Sequence, residues 1–297
     1  MELGINRRTQ YPIMGEFILR PTKNGNIPTF LKWAGGKTQL LSQYSKLFPQ
    51  DFDRYIEPFL GGGAIFFYIK KNFNPGEIIL ADINKDLINC FKIVQNDAEK
   101  LISQLKKHKK KHSAEYYCKH RNFIQKDISD IGKAAWFIYY NKTCWNGLYR
   151  VNSNGAFNVP ISDKIKNNGI FNEKVLREAS AMLQGVKLKV QSFEKVTNIA
   201  RRDDFVYLDP PYYPVSKTSS FTNYTKDSFS DEDQRKLSKL YKKLDRKGCL
   251  LMLSNSDHPF IKNLYDGYRI EKVGARRMIN CDAEKRGTVK EITVLNY

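Results

Sequence analysis

Tyr55-Ile56-Glu57-Pro58-Phe59-Leu60-Gly61-Gly62-Gly63-Ala64-Ile65-Phe66-Phe67 changes character twice. A short strand-like run ends at proline, three glycines follow, and an apolar helix-like run begins at Ala64. Strand, glycine turn and helix in that order open the unit from which dinucleotide folds are built, because glycines let the backbone pass close beneath a nucleotide-like ligand. The next apolar run, Ile78-Ile79-Leu80, leads to Asp82, 21 residues beyond Gly61. That is near the ~20 residues at which an acid on the tip of the second strand meets a ribose diol. The G-x-G-x-x-G pattern is not met, since position 66 is phenylalanine; combined with the acid and with Asp209-Pro210-Pro211-Tyr212 downstream, the glycine turn points to an adenosyl ligand rather than a dinucleotide. Asp82 also fits a turn or the N-cap of a helix.

A second stretch lies far downstream. Phe205-Val206-Tyr207-Leu208 reads as a buried strand and is followed by Asp209-Pro210-Pro211-Tyr212. Two prolines supply no backbone donor and fix φ, so the chain leaves the strand stiffly and presents a carboxylate, bare carbonyls and an aromatic face. A planar amino group suits that trio. The Asp209 carboxylate and the Pro210 carbonyl can accept both of its hydrogens, while the Tyr212 ring stacks on the attached heterocycle. The alternative is that Pro-Pro simply terminates a strand.

The third element, Phe30-Leu31-Lys32-Trp33-Ala34-Gly35-Gly36-Lys37, precedes both. Taken alone, Trp33 suits core packing and Lys37 a surface helix start. Together with the glycine run, Asp82-Ile83-Asn84, Asn146-Gly147-Leu148 and the DPPY tetrapeptide, the chain from about Thr29 to Tyr297 resembles the Dam-type, alpha-group family of DNA adenine methyltransferases. The resemblance implies a Rossmann-like, doubly wound α/β sheet with an inserted, mainly helical target-recognition domain carrying a β-hairpin. It implies methyl transfer from S-adenosyl-L-methionine to the N6 amine of a flipped adenine in double-stranded DNA. Trp33, Lys37, Phe59, Gly61, Gly63, Asp82, Phe193 and Asp209 are then the expected cofactor contacts, with Asp209, Pro210 and Tyr212 the catalytic trio. Lys32, Trp145, Asn146, Leu148 and Arg150 match positions that meet DNA. Lysine and arginine suit guanine, and leucine a thymine methyl, which gives a guanine-edged, A·T-centred site; the resemblance implies GATC. A cognate restriction endonuclease acting on that site is a partner the resemblance allows. Methylation of cytosine N4 or of RNA is the enzymatic alternative, and a non-catalytic DNA-binding module the non-enzymatic one. The chain departs from the family twice. Ile161-Ser162-Asp163 stands where relatives continue Phe-Gly-Arg, which leaves a phosphate contact without its arginine. Ser192 replaces an aspartate before Phe193, so the ring of Phe193 is the firmer contact.

The expected organisation is a flexible extension over 1–28, with Met14 a second candidate start, and a first catalytic segment over 29–95. A target-recognition domain follows over 96–170 and a second catalytic segment over 171–297. The middle part is helical and lysine-rich, and Leu148 to Val159 carries Asn154-Gly155 between two β-compatible runs, a strong hairpin signal. Such a hairpin is either structural or a ribbon for a DNA groove. Asn172 to Gln184 reads as a helix, Val186 to Val190 as a strand, Tyr213 to Asp227 as a Ser/Thr-rich loop, Ser230 with Asp233 as a capped helix start, Leu250 to Ser254 as a strand and Glu291 to Leu295 as the last one.

Composition points the same way. Fifty Lys and Arg against 31 Asp and Glu give a net charge of +19, which draws a chain to a polyanion. No apolar run approaches the ~18 residues of a membrane span and no signal-peptide pattern opens the chain, so a cytoplasmic protein with no membrane partner is expected. Cys90, Cys118, Cys144, Cys249 and Cys281 have no C-x-x-C spacing and read as reduced thiols. His108 and His112 have metal-compatible spacing, but among Lys106, Lys107, Lys109, Lys110 and Lys111 a solvated face is expected and no metal.

Overall fold

The computed structural model describes residues 27–121, 128–152, 155–162, 169–215, 229–276 and 288–297. Met14 and nearly all of the 1–28 extension, Asn154, Asp163, most of the loop from Tyr213 to Asp227, and Cys281 lie outside the described residues.

After a 3-10 turn at Lys37–Gln39 and the short helix α1 (Leu41–Tyr44) come β1 (Arg54–Glu57), α2 (Ala64–Asn72) and β2 (Glu77–Asp82). Three helices follow: α3 (Lys85–Lys111), α4 (Ala114–Arg121) and α5 (Asp130–Thr143). The chain then returns through α6 (Glu173–Leu183), β3 (Lys187–Val190), α7 (Val196–Ile199), β4 (Phe205–Leu208) and α8 (Asp231–Arg246). It ends with β5 (Leu250–Ser256), α9 (Pro259–Leu264), β6 (Arg269–Arg276) and β7 (Thr288–Leu295).

The seven strands form one sheet in the order β3-β2-β1-β4-β5-β7-β6. The first five are parallel, and β7 runs antiparallel between β5 and β6. From β1 the chain winds outward to β2 and β3, and from β4 it winds the other way to β5, so the topological switch lies between β1 and β4. Ligands of doubly wound folds bind outside the strand ends at such a crevice.

Alternation along the strands makes two cores. Tyr55, Ile78, Leu80, Phe205, Tyr207 and Met252 face α2, α3, α5 and α6. Ile56, Ile79, Val206, Leu208, Leu251 and Leu253 face α7, α8 and α9. β1 and β4 are buried along their whole length, as parallel strands covered on both faces must be. The start of α3 is fixed by Asn84, whose side chain accepts from the Asp86 and Leu87 amides, and that of α8 by a reciprocal Ser230–Asp233 capping box. At Asp97 the backbone of α3 leaves helical φ/ψ, yet Leu101, Ile102 and Leu105 beyond that point share one apolar cluster with the sheet.

Two readings need correction. The final strand begins at Thr288, not Glu291, because its polar lead-in pairs with Gly274 to Arg276 of β6. His108 is not on a solvated face. It continues the inward stripe of Leu101 and Leu105, packs 4.1 Å from the Trp136 ring centre and hydrogen-bonds Tyr116 Oη at 2.9 Å. Helical spacing turns this imidazole inward while the flanking lysines point out. Burial, then the nearby His120 and Lys111 charges, push its pKa down to about 4. His112 is partly buried and bonds Tyr139 Oη at 2.8 Å.

Candidate active site

The carboxyl end of β4 delivers Asp209, and the loop Gly35–Lys37 meets it from the opposite side. Lys37 Nζ lies 2.8 Å from Asp209 Oδ2, donates to the Gly35 carbonyl at 2.7 Å and stands 4.7 Å from the centre of the Tyr212 ring. The lysine is almost fully buried, so the surface reading of Lys37 is wrong. Burial lowers the pKa of the Lys37 ammonium, but the Asp209 carboxylate, Tyr44 and Glu291 together outweigh it and hold the group above its usual range. Burial pushes the Asp209 carboxyl up, with Lys37 opposing. The other Asp209 oxygen, Oδ1, is buried and accepts no hydrogen bond among the described residues. An acceptor without a donor is costly to bury.

Beneath this group the site is polar and closed. Tyr44 and Tyr207 both bond Ser254 Oγ, at 2.8 and 2.9 Å. Glu57, at the tip of β1, accepts from Tyr55 Oη at 2.9 Å. Burial drives its carboxyl well above the usual range against that bond, and Asp209 and Asp82 add to the effect. Glu57 was read only as part of a strand, because nothing in its sequence neighbourhood reports two distant acids.

The glycine loop sits beside this pocket. Gly61 has φ +48° and donates its amide to Asp82 Oδ2 at 3.1 Å, while Asp82 Oδ1 accepts from the Asn84 amide at 2.9 Å. Asp82 is therefore a turn former, and it stands at the tip of β2. Burial raises its carboxyl, opposed by the backbone donors of Asn84, Gly61 and Ile83. A Cβ on Gly61 would lie 2.8 Å from Trp33 Cδ1, and one on Gly62 3.0 Å from Trp33 Cβ. It is the indole of Trp33, then, that requires the absence of side chains on this part of the loop. On its far side Trp33 stacks on Phe137 and Tyr149 at 6.3 and 6.2 Å. Phe59 and Phe193 stack at 5.3 Å, and Phe229, which was not foreseen, closes against both. Ser192 caps the short 3-10 turn after it by accepting from the Glu194 amide.

The residues expected at DNA gather elsewhere on the rim. Asn141 of α5, almost fully buried, accepts from the Lys32 amide at 2.8 Å and donates to the carbonyls of Lys32 and Gly147 at 2.6 and 3.1 Å. The backbones of Lys32 and the 145–147 turn are thereby locked together, while Trp145 (46 % exposed) and Leu148 (40 %) face outward. Asn146, with φ +55°, is exposed beside them. An antiparallel bridge pairs Val151 with Phe157, and Arg150 donates to Asn158 Oδ1 at 2.8 Å and to its carbonyl at 3.2 Å. Among the described residues no group of His, Cys, Asp and Glu is arranged to hold a metal ion, and no helix is long and apolar enough to cross a membrane.

A doubly wound sheet with acids at the tips of adjacent strands and a DPPY loop at its switch point defines an α/β amino-methyltransferase. The chain belongs to the D12 class N6 adenine-specific DNA methyltransferases, whose family model matches residues 33–279. It is 45 % identical over 288 residues to the Type II methyltransferase M.MjaIII of Methanocaldococcus jannaschii, covering 91 % of this chain and 99 % of that protein. It is 40 % identical over 279 residues to Type II methyltransferase M1.LlaDCHI of Lactococcus lactis, covering 92 % and 96 %. With the DNA adenine methylase of Escherichia coli strain K12 it shares 33 % over 270 residues, covering 90 % and 94 %.

Proposed function

We propose that this adenine-specific methyltransferase takes its methyl group from S-adenosyl-L-methionine and acts on an adenine flipped out of duplex DNA within GATC. The observation that carries the reading is Asp209 Oδ1, buried and without a hydrogen-bond donor among the described residues, while Lys37 pairs with Oδ2 and stands over the Tyr212 ring. The pocket suits the cofactor: carboxylates at the tips of β2 and β4, a buried ammonium, an aromatic pair and a glycine turn answer the hydroxyls, charges and ring of an adenosyl compound. Trp33, Lys37, Phe59, Gly61, Gly63, Asp82, Phe193 and Asp209 would hold it. When bound, S-adenosylmethionine supplies an electrophilic methyl group.

The protein's own part is placement. Asp209 and the Pro210 carbonyl accept the two hydrogens of the adenine amine, drawing its delocalised lone pair toward the pyramidal form that attacks. Asp209 need not act as a base before attack, since the amine becomes acidic only once methylated. Tyr212 offers the stacking face that a flipped base requires. Lys32, Trp145, Asn146, Leu148 and Arg150 form the reading surface, in a target-recognition unit over 96–170 between catalytic segments 29–95 and 171–297. The Type II names of two relatives support a restriction endonuclease as a partner. Purified protein with radiolabelled S-adenosylmethionine and unmethylated plasmid DNA, followed by mapping of modified bases, tests the whole reading. N6-methyladenine in GATC supports it, another sequence context overturns the site, and label in cytosine or RNA overturns the substrate.

A further inference from the structure

The loop after β4 has few means of holding itself. Pro210 and Pro211 donate nothing, yet this loop must present one carbonyl and one ring to sub-ångström tolerance if it is to align an amine. Three residues outside the predicted site supply the missing restraints, each from a different element. Gln234 of α8 donates its Nε2 to the Pro211 carbonyl at 3.0 Å. Tyr212 donates its hydroxyl to Glu291 Oε2 of β7 at 2.8 Å. Asn255 of β5 accepts the Tyr213 amide on Oδ1 at 3.1 Å.

The two amides leave no freedom of orientation. Asn255 Oδ1 also accepts from the Ser256 amide at 2.8 Å, so its Nδ2 must face away, and there it donates to Gln234 Oε1 at 3.1 Å. That in turn fixes Gln234 Nε2 on Pro211. Turning either amide over would set donor against donor or acceptor against acceptor. Both side chains are fully buried, and Gln234 lies on the inward stripe of α8 with Leu237, Ser238 and Tyr241, where an apolar side chain would pack at lower desolvation cost. Between Asp209, paired with Lys37, and Pro211, held by Gln234, the Pro210 carbonyl accepts no bond among the described residues.

We propose that Gln234, Asn255 and Glu291 are positioning residues for methyl transfer, holding three successive residues, Pro211, Tyr212 and Tyr213, so that the Pro210 carbonyl and the Tyr212 ring are aimed at the reacting amine. This rests on the reading of Asp209 and Pro210 as acceptors of that amine. The test is single-turnover methylation of unmethylated plasmid DNA at saturating S-adenosylmethionine. Gln234→Met, Glu291→Ala, Tyr212→Phe, the Glu291→Ala/Tyr212→Phe double variant and Asp209→Ala are compared, with KM for both substrates and a thermal melt for each. Gln234→Met and Glu291→Ala should each slow the rate at least tenfold while KM values stay within twofold. The double variant should be slowed by clearly less than the product of the two single losses, because the singles share the loss of one hydrogen bond. A folded Gln234→Met or Glu291→Ala protein with a rate within twofold of wild type overturns the proposal, as do losses that multiply in the double variant. If Gln234→Met does not fold, the Glu291–Tyr212 cycle alone decides. Undiminished methylation by Asp209→Ala would instead overturn the underlying reading, and this inference with it.

Discussion

Lys37 and Asp209 lie 172 residues apart in the sequence and form a buried ion pair, 2.8 Å apart, at the switch point of the sheet. Each opposes the pull of burial on the other: burial lowers the Lys37 pKa and raises that of Asp209, and the pairing works against both. Lys37→Met should leave an uncompensated carboxylate and cost about 3 kcal/mol at neutral pH. With its partner gone, the Asp209 pKa rises further above its unfolded value. The penalty therefore shrinks as pH falls and Asp209 takes up a proton, and the acidic limb of the methylation rate moves to higher pH. Urea unfolding and rate profiles of both proteins between pH 5 and 8 check this. An unmoved acidic limb would show that Asp209 does not set it.

Gly61→Ala is expected to destabilise the protein by about 2 to 4 kcal/mol, combining a left-handed φ with overpacking against the Trp33 indole. In a Trp33→Ala background the packing part should vanish and only the backbone cost remain. Denaturant titration of the two singles and the double measures that coupling, and additive losses would separate the glycine from the tryptophan.

Asp82→Ala should weaken S-adenosylmethionine binding by roughly 1 to 3 kcal/mol, the order expected for charged hydrogen bonds. Part of that loss reaches the ligand through the Gly61 amide, which the carboxylate holds in place. Calorimetry gives the number directly; an unchanged affinity would leave Asp82 a turn former alone.

His108 makes stability depend on pH in a separate window. Its folded pKa is lowered from 6.5 to about 4, so below pH 6.5 the unfolded chain binds a proton that the native protein refuses. Stability is therefore lost as pH falls from about 6.5 toward 4, by at most about 3 kcal/mol. His108→Phe should flatten that part of the profile in urea melts between pH 7.5 and 4.5. A slope identical to wild type would place the proton elsewhere, with His112 the first candidate.

The strands that carry the site were legible because they are short apolar runs ended by glycine, proline or aspartate. β6 was not. Arg269-Ile270-Glu271-Lys272-Val273-Gly274 mixes charged residues with isolated apolar ones, and no clear strand period stands out until β7 is there to pair with it. The motif residues Lys37, Asp82 and Asp209 were singled out and do converge at the strand tips, whereas the polar residues that meet their loops from across the sheet were not singled out. Glu57 looked like one more strand residue, and Gln234 and Asn255 like ordinary polar positions. Their roles depend on which elements meet, which local sequence does not record. His108 failed for the opposite reason: the surrounding lysines dominated the local reading, while the stripe that buries it runs at helical spacing past them.

The seam between the glycine loop and the helical middle of the chain has a consequence for rebuilding this enzyme. Trp33 is pressed between Gly61 on one side and Phe137 with Tyr149 on the other, and Asn141 ties Lys32 to Gly147. Grafting the middle segment from a relative to change which sequence is read would import foreign partners for Trp33 and Lys32 and strain the loop on which the methyl donor is expected to rest. Modular exchange at this seam would succeed only if Lys32, Trp33, Phe137, Asn141, Gly147 and Tyr149 travelled as one unit.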